Sequence, residues 1–297
     1  MARSTSRSRT AHSTTAPPAQ SVRTKYSTIR LEPDRDNPRR YTVFLDEAPS
    51  SFIDLDDPLN VGFEYMSIML CFIDELPSPG LNVVHLGSAG SAMARALDKL
   101  KPQSRQIGID IDGELHDYAR QWFSLPKSPR LRLRTGDARE ELSKVPDGSQ
   151  DVIIRDVFAD ALTPSHLTTT EFTQLVVKKL RPGGLYLANC ADRPPLAWAR
   201  QEVATLLDTC DSLNSAPTVH HKAQVAYCAE NAILKGKRFG NLVLAFTTAT
   251  HTPHDDTVDF ANAHLHRALR TLAVPATAIT GAEVTHFARN ATIVRDT

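Results

Sequence analysis

Four apolar runs in this chain each finish on a small or acidic residue. NVVHLG ends at Gly87, RQIGID at Asp110, LRLRTGD at Asp137 and DVIIRD at Asp156. Ligands of doubly wound sheets sit beyond the carboxyl ends of parallel strands, so these positions face a common crevice. The junction HLGSAG, with Gly87, Ser88 and Gly90, lets backbone approach a ligand and offers free N–H groups at a helix start. Ala92 and Met93 follow it, so a full dinucleotide fingerprint is not completed. Asp110, twenty residues after Gly90, is placed to accept both hydroxyls of a ribose, and Asp112 follows it by two. Asp137, in Gly136-Asp137-Ala138, is placed to accept a hydrogen bond from an adenine amino group. Any one of these acids also reads as a helix cap. Together, at successive strand ends, they point to an adenosine site. Asp156 ends the fourth run at the middle of the mouth, where a reacting group would lie, and Asp160 is either a second acid of that loop or a solvated carboxylate.

These residues need a scaffold of alternating strands and helices. After the NVVHLG strand the sequence predicts helices over 91–100 and 113–123, with a short one after Asp137. A further helix is predicted over 168–180, capped by Thr168 or Thr169 with Glu171 behind it, and another over 196–207. Strands at 224–228 and 241–247 flank KGKRFG, a basic turn, and suit an antiparallel edge. The alternation predicts an α/β fold with a mainly parallel sheet. Ahead of it, YSTIRLEP, RRYTVFLD and SSFIDL predict a small antiparallel β unit. A helix over 61–76 follows, with Tyr65 on its apolar face, and Pro77 and Pro79 close it.

The boundaries that follow are a basic tail over 1–24, the β unit and helix over 25–78, the nucleoside-binding domain over 79–250 and a helical appendage over 251–297. The tail, with four Arg, many Ser and Thr and no acid, is expected to be disordered. A formal net charge of zero gives no electrostatic case for nucleic acid or membrane as a partner. The N-terminus has no secretory h-region, and no apolar run reaches transmembrane length. Cys71, Cys190, Cys210 and Cys228 form no C-x-x-C, which suggests reduced thiols in a cytoplasmic protein. The histidine pairs His220-His221, His251 with His254 and His264 with His266 lack the Cys or acid clusters of a zinc site, so no metal is expected.

At this point the motifs become specific. Gly87, Asp110, GDA at 136–138 and DVIIRD at 151–156 resemble the spermidine synthase family, the polyamine aminopropyltransferases, in particular a divergent bacterial branch. The resemblance runs over roughly residues 25–250 and includes DVFADALTPSHLTTTEF, LRPGGLYLANCAD and RFGNLVLAF. It implies a Rossmann-like sheet of S-adenosylmethionine-dependent transferase type. It also implies decarboxylated S-adenosylmethionine as co-substrate, an amine acceptor such as putrescine, and a possible homodimer through the N-terminal β unit. Carried over by position, Asp110 holds the ribose, Asp137 the adenine side, and Asp156 receives or orients the attacking amine, with Tyr65 and Asp160 on the substrate side.

Three positions depart from the family pattern. Gly90 stands where the family's G-G-G-D-G loop has the acid that selects the decarboxylated donor. Asp156-Val157-Phe158-Ala159 replaces D-S-T-D, leaving only Asp160 to supply a second acid. Tyr65-Met66-Ser67 replaces Tyr-His-Glu. The sequence therefore leaves three readings open: an aminopropyltransferase, a methyltransferase using intact S-adenosylmethionine, and a nucleoside-binding module without turnover.

Overall fold

The computed structural model describes residues 21–159, 162–216 and 218–297. Near the N-terminus, β1 (Val22–Arg23), β2 (Thr28–Pro33), β3 (Arg40–Leu45) and β4 (Ala48–Asp54) pair antiparallel in chain order. This is the small β unit expected from the Thr, Val, Ile and Phe content. Its inward side chains Ile29, Val43 and Ile53 are fully buried. Residues 21–24, assigned above to a tail, are ordered here: β1 pairs with β2, and the Thr24 hydroxyl donates to Asp112. Residues 1–20 lie outside the described residues.

The helix predicted over 61–76 is α1 (Glu64–Asp74). It starts later because Gly62 has φ +71° and Phe63 is extended, neither of which continues a helix. Strands and helices then alternate through β5 (Asn82–Leu86), α2 (Ala92–Leu100), β6 (Arg105–Asp110), α3 (Gly113–Trp122), β7 (Leu131–Thr135) and α4 (Ala138–Ser143). They continue through β8 (Gln150–Arg155), α5 (Thr170–Lys179), β9 (Leu180–Asp192) and α6 (Ala197–Asn214). Thr169 caps α5, accepting from the Phe172 N–H. α6 runs past its predicted end because Thr209 and Cys210 keep its inner face buried.

The chain then forms β10 (Gln224–Glu230), α7 (Asn231–Leu234), β11 (Gly240–Thr247), α8 (Ala263–Thr271), β12 (Ala276–Thr280) and α9 (Ala282–Phe287). The eight-stranded sheet has the order β12-β10-β11-β9-β8-β5-β6-β7. β5 to β9 are parallel, and β10, β11 and β12 are antiparallel additions. The expected helical appendage is thus corrected. Residues 276–280 form a strand of the main sheet, because they cover the otherwise unpaired edge of β10. The last residues also dock, with Val294 bonded through its backbone to Thr170 and Thr205.

Side chains alternate between the faces of the central strands. Val83, Val152, Ile154, Leu185 and Leu187 face the layer of α1 and the N-terminal sheet. Val84, Leu86, Ile153, Tyr186 and Ala188 face the layer of α4, α5 and α6. Strand progression reverses at β5, which lies between β6 and β8. The crevice of such a fold opens at that switch point.

Candidate active site

The loop after β5 is built by close backbone approach. Gly87 has φ +77°, and a Cβ there would lie 2.1 Å from the Asp156 carbonyl oxygen. The Gly87 N–H donates to Ile109 O and the Asp156 N–H to Leu86 O, so the ends of β5, β6 and β8 are laced together. Ala89 and Ser91 also have positive φ, at 35° and 61°. Such angles are costly for residues with a side chain and concentrate strain in this loop.

Asp110 braces the strained segment. Its Oδ2 accepts the N–H groups of Ser88 and Ala89 at 3.1 and 2.9 Å, and its Oδ1 accepts that of Asp112 at 3.1 Å. Ser88, which is buried, shares a 2.6 Å hydrogen bond with His116 Nε2. Burial pushes the His116 pKa down, against the opposing pull of Asp110. Gly90 is buried against the N-terminal sheet. Its N–H donates to Ser51 Oγ at 3.2 Å, and a Cβ would meet Ser51 Cβ at 3.1 Å and Val43 Cγ2 at 3.5 Å. The space beside it is therefore filled by β3 and β4.

Asp112 is committed elsewhere. It is buried and caps α3 by accepting from the Leu115 N–H. Its other oxygen accepts from the hydroxyls of Thr24 and Ser27. Its oxygens are thus engaged by a helix cap and a tether to the N-terminal segment, and Asp112 also borders the larger of two surface grooves.

Asp137 caps α4, with Oδ1 accepting from the N–H groups of Arg139 and Glu140. Its Oδ2 sits 2.9 Å from His166 Nε2. Burial works the other way, but the Glu140 N–H and His166 hold its carboxyl below the ordinary range. Ala138 is buried behind it as the first residue of α4.

Asp156 receives two hydrogen bonds from distant elements. The Tyr65 hydroxyl of α1 donates to Oδ2 at 2.8 Å, and the Asn189 amide of β9 donates to Oδ1 at 3.0 Å. Tyr65 is buried and stacks on Phe63, with ring centroids 5.9 Å apart. Burial pushes the Asp156 pKa above its ordinary value, against Asn189, Tyr65 and Arg155, which favour the carboxylate. A carboxylate with a raised pKa and two fixed donors is suited to take a proton. Asp160 lies outside the described residues.

The structure thus brings Tyr65 and Asp156 together, and Gly87, Ser88 and Asp110 beside them. Asn189, His116 and His166 were not singled out in the sequence. Asn189 had a readable signal: a lone amide in the apolar strand LYLANC, which burial makes costly unless it is bonded. Two surface grooves, of about 930 and 520 Å³, lie beside the crevice, and Asp156 lines neither. Ile111 and Thr135 border the larger, and Asp137 and His166 the smaller. Among the described residues there is no cluster of three or more His, Cys, Asp or Glu suited to a metal ion. No helix among them is long and apolar enough to cross a membrane. The four cysteines are unpaired.

A doubly wound sheet with a strained glycine loop, acids at successive strand ends and a hydrogen-bonded carboxylate at the switch point defines a Rossmann-like fold of the S-adenosylmethionine-dependent transferase type. Residues 76–213 match the family described as the spermine/spermidine synthase domain. A probable spermidine synthase from Corynebacterium glutamicum superposes with a TM-score of 0.83 at 32% identity, covering 95% of this chain and 98% of that one. The chain belongs to the spermine/spermidine synthase family. The polyamine aminopropyltransferase of Chromobacterium violaceum is 27% identical over 143 residues, which cover 48% of this chain and 54% of that protein. The chain thus spans about half the length of that curated relative. A spermidine synthase solved in complex with the transition-state analogue AdoDATO shares the fold, with a TM-score of 0.58 at 17% identity over 86% of this chain and 79% of that one.

Proposed function

We propose that this protein transfers an aminopropyl group from decarboxylated S-adenosylmethionine to an amine, with Asp156 as the base. The observation that carries this reading is the Asp156 carboxylate held by Tyr65 and Asn189 at the switch point of a family member. The amine nitrogen attacks the aminopropyl methylene bonded to sulfur. A C–N bond forms as the C–S bond breaks, and its electron pair returns to sulfur, leaving neutral methylthioadenosine. The new ammonium gives its proton to Asp156. The sulfonium is already a good leaving group, so alignment is most of what the protein must supply.

In this reading Asp110 takes the ribose hydroxyls while bracing the loop of Gly87, Ser88 and Gly90, and Asp137 with Ala138 lies on the adenine side. The acceptor is a small amine such as putrescine, and the chain forms a homodimer through the N-terminal sheet, measurable by light scattering. Gly90 counts less for the methyltransferase reading than its sequence suggested. Ser51 and Val43 occupy the space that a missing acid would have opened for the carboxylate of intact S-adenosylmethionine.

The test is a product assay by mass spectrometry with putrescine or spermidine and each sulfonium donor. An aminopropylated amine with methylthioadenosine is the expected product pair. A methylated product with S-adenosylhomocysteine would transfer the assignment to methyl transfer, and no product with any pair would leave the non-catalytic reading.

A further inference from the structure

β8 delivers two charged side chains in consecutive positions to opposite layers. Asp156 meets α1 through Tyr65, whereas Arg155 enters the layer of α6 and is fully buried, at 0% exposure. Its Nη2 donates to Glu202 at 2.6 Å and to the backbone carbonyl of Asn189 at 3.3 Å, and its Nη1 donates to Leu167 O at 3.2 Å. Among the described residues its Nε has no partner. A buried ion pair of this kind is often no more stabilising than apolar residues of the same volume, so stability alone does not account for it. Its partners do. The carbonyl it holds belongs to Asn189, the residue whose amide holds Asp156. Leu167 ends the 3-10 turn Ser165–Leu167, at the far end of the segment that leaves Asp156.

We propose that Arg155 is a positioning residue for the proton-accepting carboxylate: clamped by Glu202, its guanidinium fixes β9 at Asn189 and the loop exit at Leu167, and through them the orientation and charge state of Asp156. This rests on Asp156 being the base. Its consequence for pH depends on every group nearby. Asp156 faces Tyr65 from α1 and Asn189 from β9, with Arg155 behind it in β8. Arg155 faces Glu202 from α6 and Tyr186 and Cys190 from β9, and Asp192 acts on Glu202. Removing Arg155 alone strands Glu202 without its cation, so the informative change removes both charges.

The experiment uses the full-length protein with the double substitution Arg155→Met/Glu202→Met and the single Arg155→Lys. Readouts are kcat and KM for donor and amine, the pH profile of kcat, and the titration of Asp156 followed by carboxyl carbon NMR. In the folded double variant kcat falls at least about tenfold, with donor KM held within about twofold. Its acidic limb and the Asp156 titration both move to higher pH. Arg155→Lys keeps the charge but loses the planar fork, so its limb stays in place while kcat falls. A folded double variant with wild-type kcat or an unmoved Asp156 titration overturns the proposal. If the double variant does not fold, wild-type kcat in Arg155→Lys overturns it instead. If the unsubstituted protein transfers no aminopropyl group, the functional reading fails on its own, and the Asp156 titration in Arg155→Lys and the double variant still decides the role of Arg155.

Discussion

The Tyr65 hydroxyl donates to Asp156 Oδ2 at 2.8 Å across 91 positions of sequence, joining the helix that follows the N-terminal sheet to the end of β8. The bond favours the ionised carboxylate and fixes one of its two oxygens. Tyr65→Phe removes it with little change in side-chain volume. The expected result is a fall in kcat of roughly tenfold with little change in donor affinity, checked by steady-state kinetics and calorimetry. The same change raises the Asp156 pKa further, so the acidic limb of the rate profile moves to higher pH.

Asp156 must be ionised to accept a proton. Burial raises its pKa above the ordinary 3.8. Activity is therefore expected to be lost as pH falls through that raised value, with the Asp156 requirement met above it. Asp156→Asn abolishes turnover and keeps donor binding. A variant that retained the wild-type rate would remove Asp156 from the mechanism.

Asp110, which ends β6, and Asp112, two residues on, are expected to separate cleanly. Asp110→Ala frees the Ser88 and Ala89 N–H groups and, on the proposed function, removes the ribose acceptor, so methylthioadenosine affinity is expected to drop at least about tenfold by calorimetry. Asp112→Ala loses a helix cap and the Thr24 tether, which costs about 1–2 kcal/mol of stability in denaturant titration, while affinity holds.

Gly87→Ala places a methyl group 2.1 Å from the Asp156 carbonyl oxygen at φ +77°. The ends of β5 and β8 must separate to admit it. Unfolding is expected to show a loss of roughly 2–4 kcal/mol, with activity reduced in the fraction that folds.

His85 is buried in β5. It pairs with Gln106 at 2.8 Å, and burial pushes its pKa down from 6.5 to about 4. Above pH 6.5 it is neutral in both states and contributes no pH dependence. As pH falls from 6.5 toward 4 the unfolded chain takes up a proton that the folded chain refuses, so stability declines, by roughly 2 kcal/mol at pH 5. Below about 4 the loss is complete. His85→Gln should shrink the stability difference between pH 7 and pH 5 in denaturant titrations. His116, whose pKa is also lowered by burial, supplies part of what remains.

The order of apolar runs, their periodicity and the residues closing them were enough to specify the α/β class, the parallel sheet and the N-terminal β unit. These are local properties, since alternation and capping act within a few residues. The same local reading located Asp156 as a candidate, and the family resemblance added Tyr65. The local reading could not tell which acids act as caps, because a cap and a ligand acid look alike in sequence, and only Thr24, Ser27 and Leu115 around Asp112 reveal its cap and tether. It also took the last 47 residues for an appendage, because the pairing of β12 depends on an edge of β10 lying far away in sequence.

By itself the sequence determined which residue types stand at the strand ends, and so the kind of ligand the mouth suits. Only the tertiary structure decided which of them meet. Tyr65, Asp156 and Asn189 come from three elements brought together by sheet order, and Gly90 is closed off by Ser51 from a separate sheet. Long-range contacts of this kind follow from packing of the whole chain, whereas strand and helix patterns follow from neighbours along it.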